Sequence, residues 1–480
     1  MSEPFDLLIE GGTVIDGTRA PRFDADVGVR DGRIAAVGDL RGRAAQRRLA
    51  AHGRIVAPGF IDAHTHDDLA LLARPDMEFK ASQGVTTVVT GNCGISPAPL
   101  EADTPTPAPL SLAVGGPRQR FGSFAAYLQA LRDAPAALNA APLLGHTTLR
   151  ARCVADLQRS ATEAEIAAMR THVQQALDAG AIGVSTGTYY PPAAAASTEE
   201  IIEVCRPLSG SGGVYVTHMR DEQDAVLQSL DETFRIGREL GVPVVVSHHK
   251  VTGQANWGRS TETLARIGQA MQCQCVALDC YPYTAGSTML HNDPVRLLGR
   301  VLIAHSEPHP QMAGRDLDDI AREWGVAKLE AVRRLQPASA IYFMMDEADV
   351  QRILAFEHTM VGSDGIPQGE RPHPRLWGTF PRVLGHYSRK LGLFPLETAV
   401  WKMTGLTARN FGLADRGRVA EGAAADLVVF DAERVIDTAT YEEPKRAADG
   451  IETVLVNGVP VWARGQATGA RPGQVLTRRG

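Results

Sequence analysis

Short apolar runs carrying β-branched residues, broken by tight turns, mark the first 57 positions. Those at 7–10, 13–15, 26–30 and 34–37 are separated by Gly11-Gly12, Asp16-Gly17 and Asp31-Gly32, pairs suited to tight turns. The last stretch has the same texture at 427–430, 453–456 and 459–462, with Asn457-Gly458 between the final two runs. Between these ends the period changes. Apolar strand-like runs at 59–63, 85–90, 142–145, 181–185, 214–217, 244–247, 275–279 and 359–363 alternate with helical periods, among them 162–179, 224–240 and 260–271. Eight strands joined by helices predict an α/β fold, a closed parallel (β/α)8 TIM-like barrel. The β-rich ends predict one small β-sandwich domain built from both termini, 1–57 and 418–480, around a barrel at 58–417. The gap from 275 to 359 is longer than one βα unit needs, so an insertion is expected near 290–345, before the last barrel strand. The Ala- and Pro-rich stretches at 101–118 and 191–198 read as loops or lids.

Charge and composition narrow the class of function. The 480 residues carry 49 basic and 55 acidic side chains, a net charge of −6, which argues against a nucleic-acid or polyanion binder. Apolar residues make up 44% and charged residues 22%, enough for a large core without staples. Six cysteines are too sparse for a disulfide framework and fit a reducing compartment. The acidic N-terminus has no basic segment leading into an apolar one, and no run of eighteen apolar residues occurs. The expectation is a soluble cytoplasmic protein that acts on small molecules, with no membrane partner.

Candidate chemistry gathers at the predicted strand ends. Val214-Tyr215-Val216-Thr217-His218 and Val244-Val245-Val246-Ser247-His248 share one pattern 30 positions apart. That is one βα repeat, so neighbouring strands would point both imidazoles at one spot on the C-terminal rim. His64-Thr65-His66 closes the first barrel run, and residues two apart on a strand face the same side. Cys93 lies in Gly91-Asn92-Cys93-Gly94 just beyond the second strand, where a thiolate would be a strong zinc ligand. Asp364, in Ser363-Asp364-Gly365, ends the last strand and suits a general base beside a metal-activated water. Cys273 and Cys275 flank a strand entry and read as structural, as does His249; His146 ends a strand and reads as a pocket residue or a support for one. Together these positions describe a metal-activated hydrolase.

The same residues resemble the amidohydrolase superfamily over nearly the whole chain. The resemblance runs from the split β domain and Pro58–His66 to Ser363-Asp364-Gly365 and the exit segment 410–417 followed by Gly-Ala-Ala-Ala-Asp-Leu-Val-Val-Phe-Asp at 422–431. Many members carry a metal-bridging lysine on strand four; residues 181–187 contain none, which argues against a lysine-bridged cyclic amidohydrolase. The chain is similar instead to the N-acyl-D-amino-acid deacylase (D-aminoacylase) branch. The matching stretches are Gly91-Asn92-Cys93-Gly94, residues 218–222, Ser247-His248-His249-Lys250, residues 281–287 and His373-Pro374-Arg375. The resemblance implies one tightly held Zn²⁺ on Cys93, His218 and His248, with His64 and His66 forming a second, weaker position. It implies Asp364 as the group that activates water and then protonates the departing amine. Lys250, Tyr281, Ser287 and Arg375 match positions that hold the carboxylate of an anionic N-acyl-D-amino acid, a task suited to a planar guanidinium. Arg296 would supply a cation for a second carboxylate and gives a lean toward N-acyl-D-glutamate. The rival expectations are a broad or hydrophobic N-acyl-D-amino-acid deacylase, a dipeptidase for D-terminated substrates, a cyclic amidohydrolase, and a non-enzymatic barrel homologue.

Overall fold

The computed structural model describes residues 3–114, 116 and 119–478. Both chain ends enter one nine-stranded sheet. The N-terminal part supplies Phe5–Val14, Phe23–Arg30, Arg33–Gly38, Ala45–Ala50 and Ile55–Pro58; the C-terminal part supplies Leu427–Phe430, Ile451–Val456, Val459–Ala463 and Gln466–Ala467. The seam is the antiparallel pairing of Ile55–Pro58 with Leu427–Phe430. Leu7, Ile9, Val27, Val29, Val56, Leu427, Val429 and Leu455 close a core across it. Each such side chain stabilises the fold by roughly 1.5–3 kcal/mol when fully buried.

The runs at 7–10 and 13–15 are one strand rather than two. Its register shifts between Ile9 and Gly12, and Gly11, at φ +68°, takes the left-handed conformation the bend requires. The strand Ala45–Ala50, absent from the hydrophobic pattern, pairs parallel with Phe5–Val14 while its polar side chains, Gln46, Arg47 and Arg48, stay exposed.

Among the described residues, the middle of the chain holds eight consecutive parallel strand positions: β1 (Phe60–Asp62), β2 (Val85–Thr90), β3 (Asn139–Pro142, resumed at Leu144–Gly145), β4 (Gly183–Gly187), β5 (Val214–His218), β6 (Val244–Val246), β7 (Val276–Cys280) and β8 (Thr359–Val361). β1 pairs with β2 and β2 with β3; the second piece of β3 pairs with β4, and pairing continues in order to β8. β8 returns to the end of β1, where Ala63 N–H donates to Val361 O at 3.2 Å and Asp364 N–H donates to His64 O at 2.8 Å. Side chains alternate as the pleat requires. Ile61, Val89, Val214, Val216, Val245, Ala277 and Met360 pack with one another, while Tyr215, Val244, Val246, Leu278 and Val361 pack against helix residues such as Val173, Leu230, Phe234, Ile267 and Ile353.

The helices start and stop where local chemistry allows. Glu163–Ala179 opens on a reciprocal cap between Thr162 and Glu165 and closes at Gly180, φ +116°. The stretch at 191–198, expected to be a loop or lid, instead holds the one-turn helix Pro191–Ala194 and the start of Thr198–Cys205. Proline suits a first helical position because its φ is preset and it has no N–H to leave unpaired, and Ser197 caps the second helix by accepting from Glu200 N–H. The stretch at 101–118 contains the one-turn helix Leu110–Ala113; residues 115, 117 and 118 lie outside the described residues.

Between β7 and β8 the chain forms a three-stranded antiparallel sheet of Ala285–Met289, Ala338–Phe343 and Val301–Ser306, with Ala338–Phe343 central. Helices Leu317–Glu323 and Lys328–Leu335 cover it, and Leu290, Ile303, Leu317, Ile320, Val332 and Leu335 form its own core. This unit begins at Ala285, ahead of the 290 expected from the sequence. No described helix is long and apolar enough to cross a membrane.

Candidate metal centre and active site

The C-terminal ends of the parallel strands converge on Cys93. Its Sγ lies 3.3 Å from His64 Nε2, 3.5 Å from His218 Nδ1 and 3.4 Å from His248 Nε2. His218 Nδ1 and His248 Nε2 are 2.9 Å apart, so the two strand-end imidazoles that echo in the sequence meet in space. The ligand atoms form two overlapping groups: Cys93, His218 and His248; and His64, His66, Cys93 and Asp364. Cys93 belongs to both.

Three of these residues stand on unusual backbone. Cys93, His248 and Asp364 have φ of +55°, +34° and +50°, a region costly for side chains with a Cβ. Neighbouring groups hold the turns. His248 N–H donates to Asp279 Oδ1 at 3.0 Å, and the Ser185 hydroxyl accepts from Gly94 N–H at 2.9 Å.

The donor set fits zinc. Tetrahedral Zn²⁺, with bonds of about 2.3 Å to sulfur and about 2.0–2.1 Å to nitrogen, sets its sulfur and nitrogen ligands about 3.5 Å apart. The Cys93 to His218 and His248 separations match that spacing. His218 Nε2 and His64 Nδ1 are buried without hydrogen-bond partners, and carboxylates lie just beyond both: Glu222 Oε2 is 3.8 Å from His218 Nε2, and Asp279 Oδ1 is 3.7 Å from His64 Nδ1. Carboxylates behind histidine ligands orient the rings and strengthen them as donors. Burial alone would push the Cys93 thiol up, but the positive field of His64 and His248 outweighs it and holds the thiol well below its ordinary value.

Asp364 lies at the edge of this cluster. Its Oδ1 is 3.2 Å from His66 Nε2 and 3.5 Å from His64 Nε2, and its Oδ2 is 2.9 Å from Arg375 Nη1. Burial would raise this carboxyl, yet Arg375 and His248 hold it well below the usual carboxylate range. Arg375 is fully buried and stands 4.5 Å over the Tyr281 ring, with Nη2 donating to Ser287 O at 3.0 Å. Its Nη1 is ion-paired with Asp364 without an aligned hydrogen bond, and its buried Nε has no hydrogen-bond partner among the described residues.

The remaining sequence candidates divide. Lys250 is buried and donates to Glu222 Oε1 at 2.7 Å, with His248 Nδ1 also 2.7 Å away, so its charge is already shared with the metal cluster. The backbone carbonyl of Ser287, rather than its hydroxyl, is what meets Arg375. Arg296 stacks 4.0 Å over the Tyr189 ring, whose centre is 4.9 Å from that of His218. His146 opens the helix His146–Cys153 and faces Glu200 at 3.5 Å, outside both ligand groups. His249 bonds Thr263 Oγ1 at 2.8 Å, while Cys273 and Cys275 are exposed at the entry to β7. Glu222 and Asp279 received no individual role from the sequence. Asp279 had one available signal, a carboxylate closing an apolar strand run as His218 and His248 do.

Residues 49–462 match the amidohydrolase family. A D-aminoacylase of Alcaligenes xylosoxydans xylosoxydans is 64% identical over 99% of this chain and 98% of its own length. A solved D-aminoacylase, described as having a binuclear metal centre with one-metal activation and second-metal attenuation, has a TM-score of 0.97 at 64% identity, covering 99% of this chain and all of that one. The N-acyl-D-glutamate deacylase of Bordetella bronchiseptica, solved with zinc and a phosphonate mimic of the tetrahedral intermediate, has a TM-score of 0.96 at 49% identity over 99% of this chain and all of that one. The chain belongs to the amidohydrolase family, in its N-acyl-D-amino-acid deacylase branch, and is a hydrolytic enzyme.

Proposed function

We propose that this enzyme hydrolyses the amide bond of N-acyl-D-amino acids, releasing a free D-amino acid and a carboxylate, with zinc as its metal. The observation that carries the reading is the sequence of groups across the site. Two groups able to hold a metal share Cys93, Asp364 belongs to one of them, and Arg375 is paired to Asp364 with its Nε lacking a hydrogen-bond partner among the described residues. Cys93, His218 and His248 would hold the tight zinc, and His64 and His66, with Cys93 and Asp364, the weaker second position. When bound, the metal supplies a Lewis acid that polarises a carbonyl and acidifies water.

The chain's own residues account for the rest. Asp364 takes a proton from the water whose oxygen attacks the amide carbonyl carbon, and delivers it to the nitrogen as the C–N bond breaks. Arg375 holds the substrate α-carboxylate, assisted by Lys250, Tyr281 and the Ser287 segment. In this reading the ring of parallel strands, closed by the hydrogen bonds between β8 and the end of β1, is the (β/α)8 barrel at 58–417. The unit between β7 and β8 is its insertion, and 1–57 with 418–480 form the small β domain.

A second reading concerns the substrate side chain. Arg296, stacked on Tyr189 beside His218, favours a substrate with a second carboxylate, N-acyl-D-glutamate, although overall identity is higher to D-aminoacylase than to the glutamate enzyme. Zinc-loaded enzyme offered paired N-acetyl-D- and N-acetyl-L-glutamate, aspartate, leucine and methionine tests both readings. Selective release of D-amino acids supports the deacylase; no turnover of any D-substrate with zinc bound overturns it. Preference for D-glutamate supports the role of Arg296, and preference for D-leucine or D-methionine removes it.

A further inference from the structure

A buried ion pair lies directly behind Asp364. Lys80, in the one-turn helix Glu78–Ala81, is fully buried, and its Nζ donates to Asp62 Oδ2 at 2.7 Å and to Ser363 Oγ at 2.5 Å. Asp67 Oδ2 is the other nearby anion, at 3.5 Å. The second oxygen of Asp62 accepts two amides, Ser363 N–H at 2.7 Å and His64 N–H at 3.3 Å. The Ser363 hydroxyl accepts from Gly365 N–H at 3.1 Å and lies 3.4 Å from His64 O, so its single proton has an acceptor as well.

Two of the three amides around Asp364 are therefore pinned to the end of β1, and the third to the Ser363 hydroxyl. Ser363 N–H goes to the Asp62 carboxylate, Asp364 N–H to His64 O, and Gly365 N–H to a hydroxyl fixed by Lys80. This matters because Asp364 has φ +50°, a conformation that persists only where the surroundings over-determine it. One Asp62 oxygen also ties the His64 amide to the Ser363 amide, so the metal-cluster histidine and the carboxylate are placed against a common reference.

We infer that Lys80, Asp62 and Ser363 are positioning residues that set the Asp364 carboxylate against the metal cluster. They touch no substrate and act through the backbone of Asp364. The inference rests on the reading of Asp364 as the proton carrier. A buried ion pair with no other task adds little stability compared with apolar packing, and here both Lys80 Nζ and Asp62 Oδ1 reach the turn that carries Asp364.

The test uses the full-length zinc-loaded enzyme and the N-acetyl-D-amino acid it turns over fastest. Ser363→Ala removes the link without stranding a buried charge. It is expected to lower kcat about tenfold with KM within about twofold, as small misplacements of a reacting group do, while tight zinc is retained. Ser363→Thr keeps the hydroxyl and should restore kcat to within about threefold of wild type. The combined variant Asp62→Asn/Asp67→Asn/Lys80→Met, which removes the lysine and both carboxylates that face it, should reproduce the kcat loss. An unchanged kcat in Ser363→Ala overturns the inference. So does a loss that follows zinc content or thermal stability and is no smaller in Ser363→Thr. Asp364→Asn separates the two readings: lost turnover with zinc retained leaves the proton-carrier role standing whatever Ser363→Ala does, and retained turnover overturns both.

Discussion

Arg375 Nη1 lies 2.9 Å from Asp364 Oδ2, although their contact is not aligned as a hydrogen bond. The guanidinium thus has two tasks that compete. It lowers the basicity of Asp364 by its charge, and in the proposed function it also holds the substrate carboxylate. In that reading a substrate anion bound to Arg375 would offset its field on Asp364 and make the carboxylate a better base.

Replacing Arg375 by lysine keeps a charge but loses the planar fork. The expected result is a fall in kcat/KM of about 100-fold, carried by binding and orientation together. With leucine at 375 the depressing charge is gone, so the Asp364 pKa rises. A base that must be ionised loses activity as pH falls through its pKa, so the acid limb of kcat/KM moves to higher pH. An acid limb that stays in place would show that Arg375 does not control Asp364.

Asp364→Asn removes the proton carrier of the proposed function but no member of the Cys93, His218 and His248 group. It should lower kcat by about 100- to 10,000-fold, with metal analysis finding the tight zinc retained.

Cys93 stands in both ligand groups. Cys93→Ala should reduce bound zinc from near-stoichiometric to background, whereas His66→Ala, which touches only one group, should leave the tight metal in place. Zinc per chain after dialysis reads both outcomes.

Arg296→Leu should reduce turnover of N-acetyl-D-glutamate relative to N-acetyl-D-methionine by about 10-fold or more, the scale of a lost charged hydrogen bond. Equal changes for both substrates would remove Arg296 from side-chain recognition.

Away from the site, Glu200 pairs with buried Arg150 and faces His146. Burial would raise its carboxyl, but His146, the Ala161 N–H and Arg150 together lower it from 4.5 to about 2. A carboxyl depressed in the folded state contributes stability that is present above its unfolded pKa and lost as pH falls through the folded one. Glu200→Gln should therefore cost about 3 kcal/mol at neutral pH, by leaving Arg150 unpaired. It should also flatten the stability-versus-pH curve between about pH 4.5 and 2, as chemical denaturation at several pH values would measure.

What could be read without the fold was whatever depends on periodicity and strand-end position. The helix at Ser260–Met271, the Thr162 start of the helix Glu163–Ala179, and the 30-residue echo of His218 and His248 are local patterns, and side-chain period alone exposes them. The strand Ala45–Ala50 was invisible because Gln46, Arg47 and Arg48 at its centre break any apolar run. The helices at 191–205 were obscured by a proline- and alanine-rich stretch with no apolar period, in which Pro191 opens the first and Ser197 caps the second.

The sequence by itself determined which side chains are available to the site and which of them sit at the ends of apolar runs. Only the tertiary structure decided that Cys93 joins both ligand groups, that Glu222 and Asp279 stand behind the histidines, and that Lys80 is buried beneath Asp364. Except for Glu222, four residues from His218, those facts arise from residues tens to hundreds of positions apart meeting where the parallel strands end. A lysine on a short helix reads as a solvated charge until that packing leaves no water beside it and two carboxylates within reach.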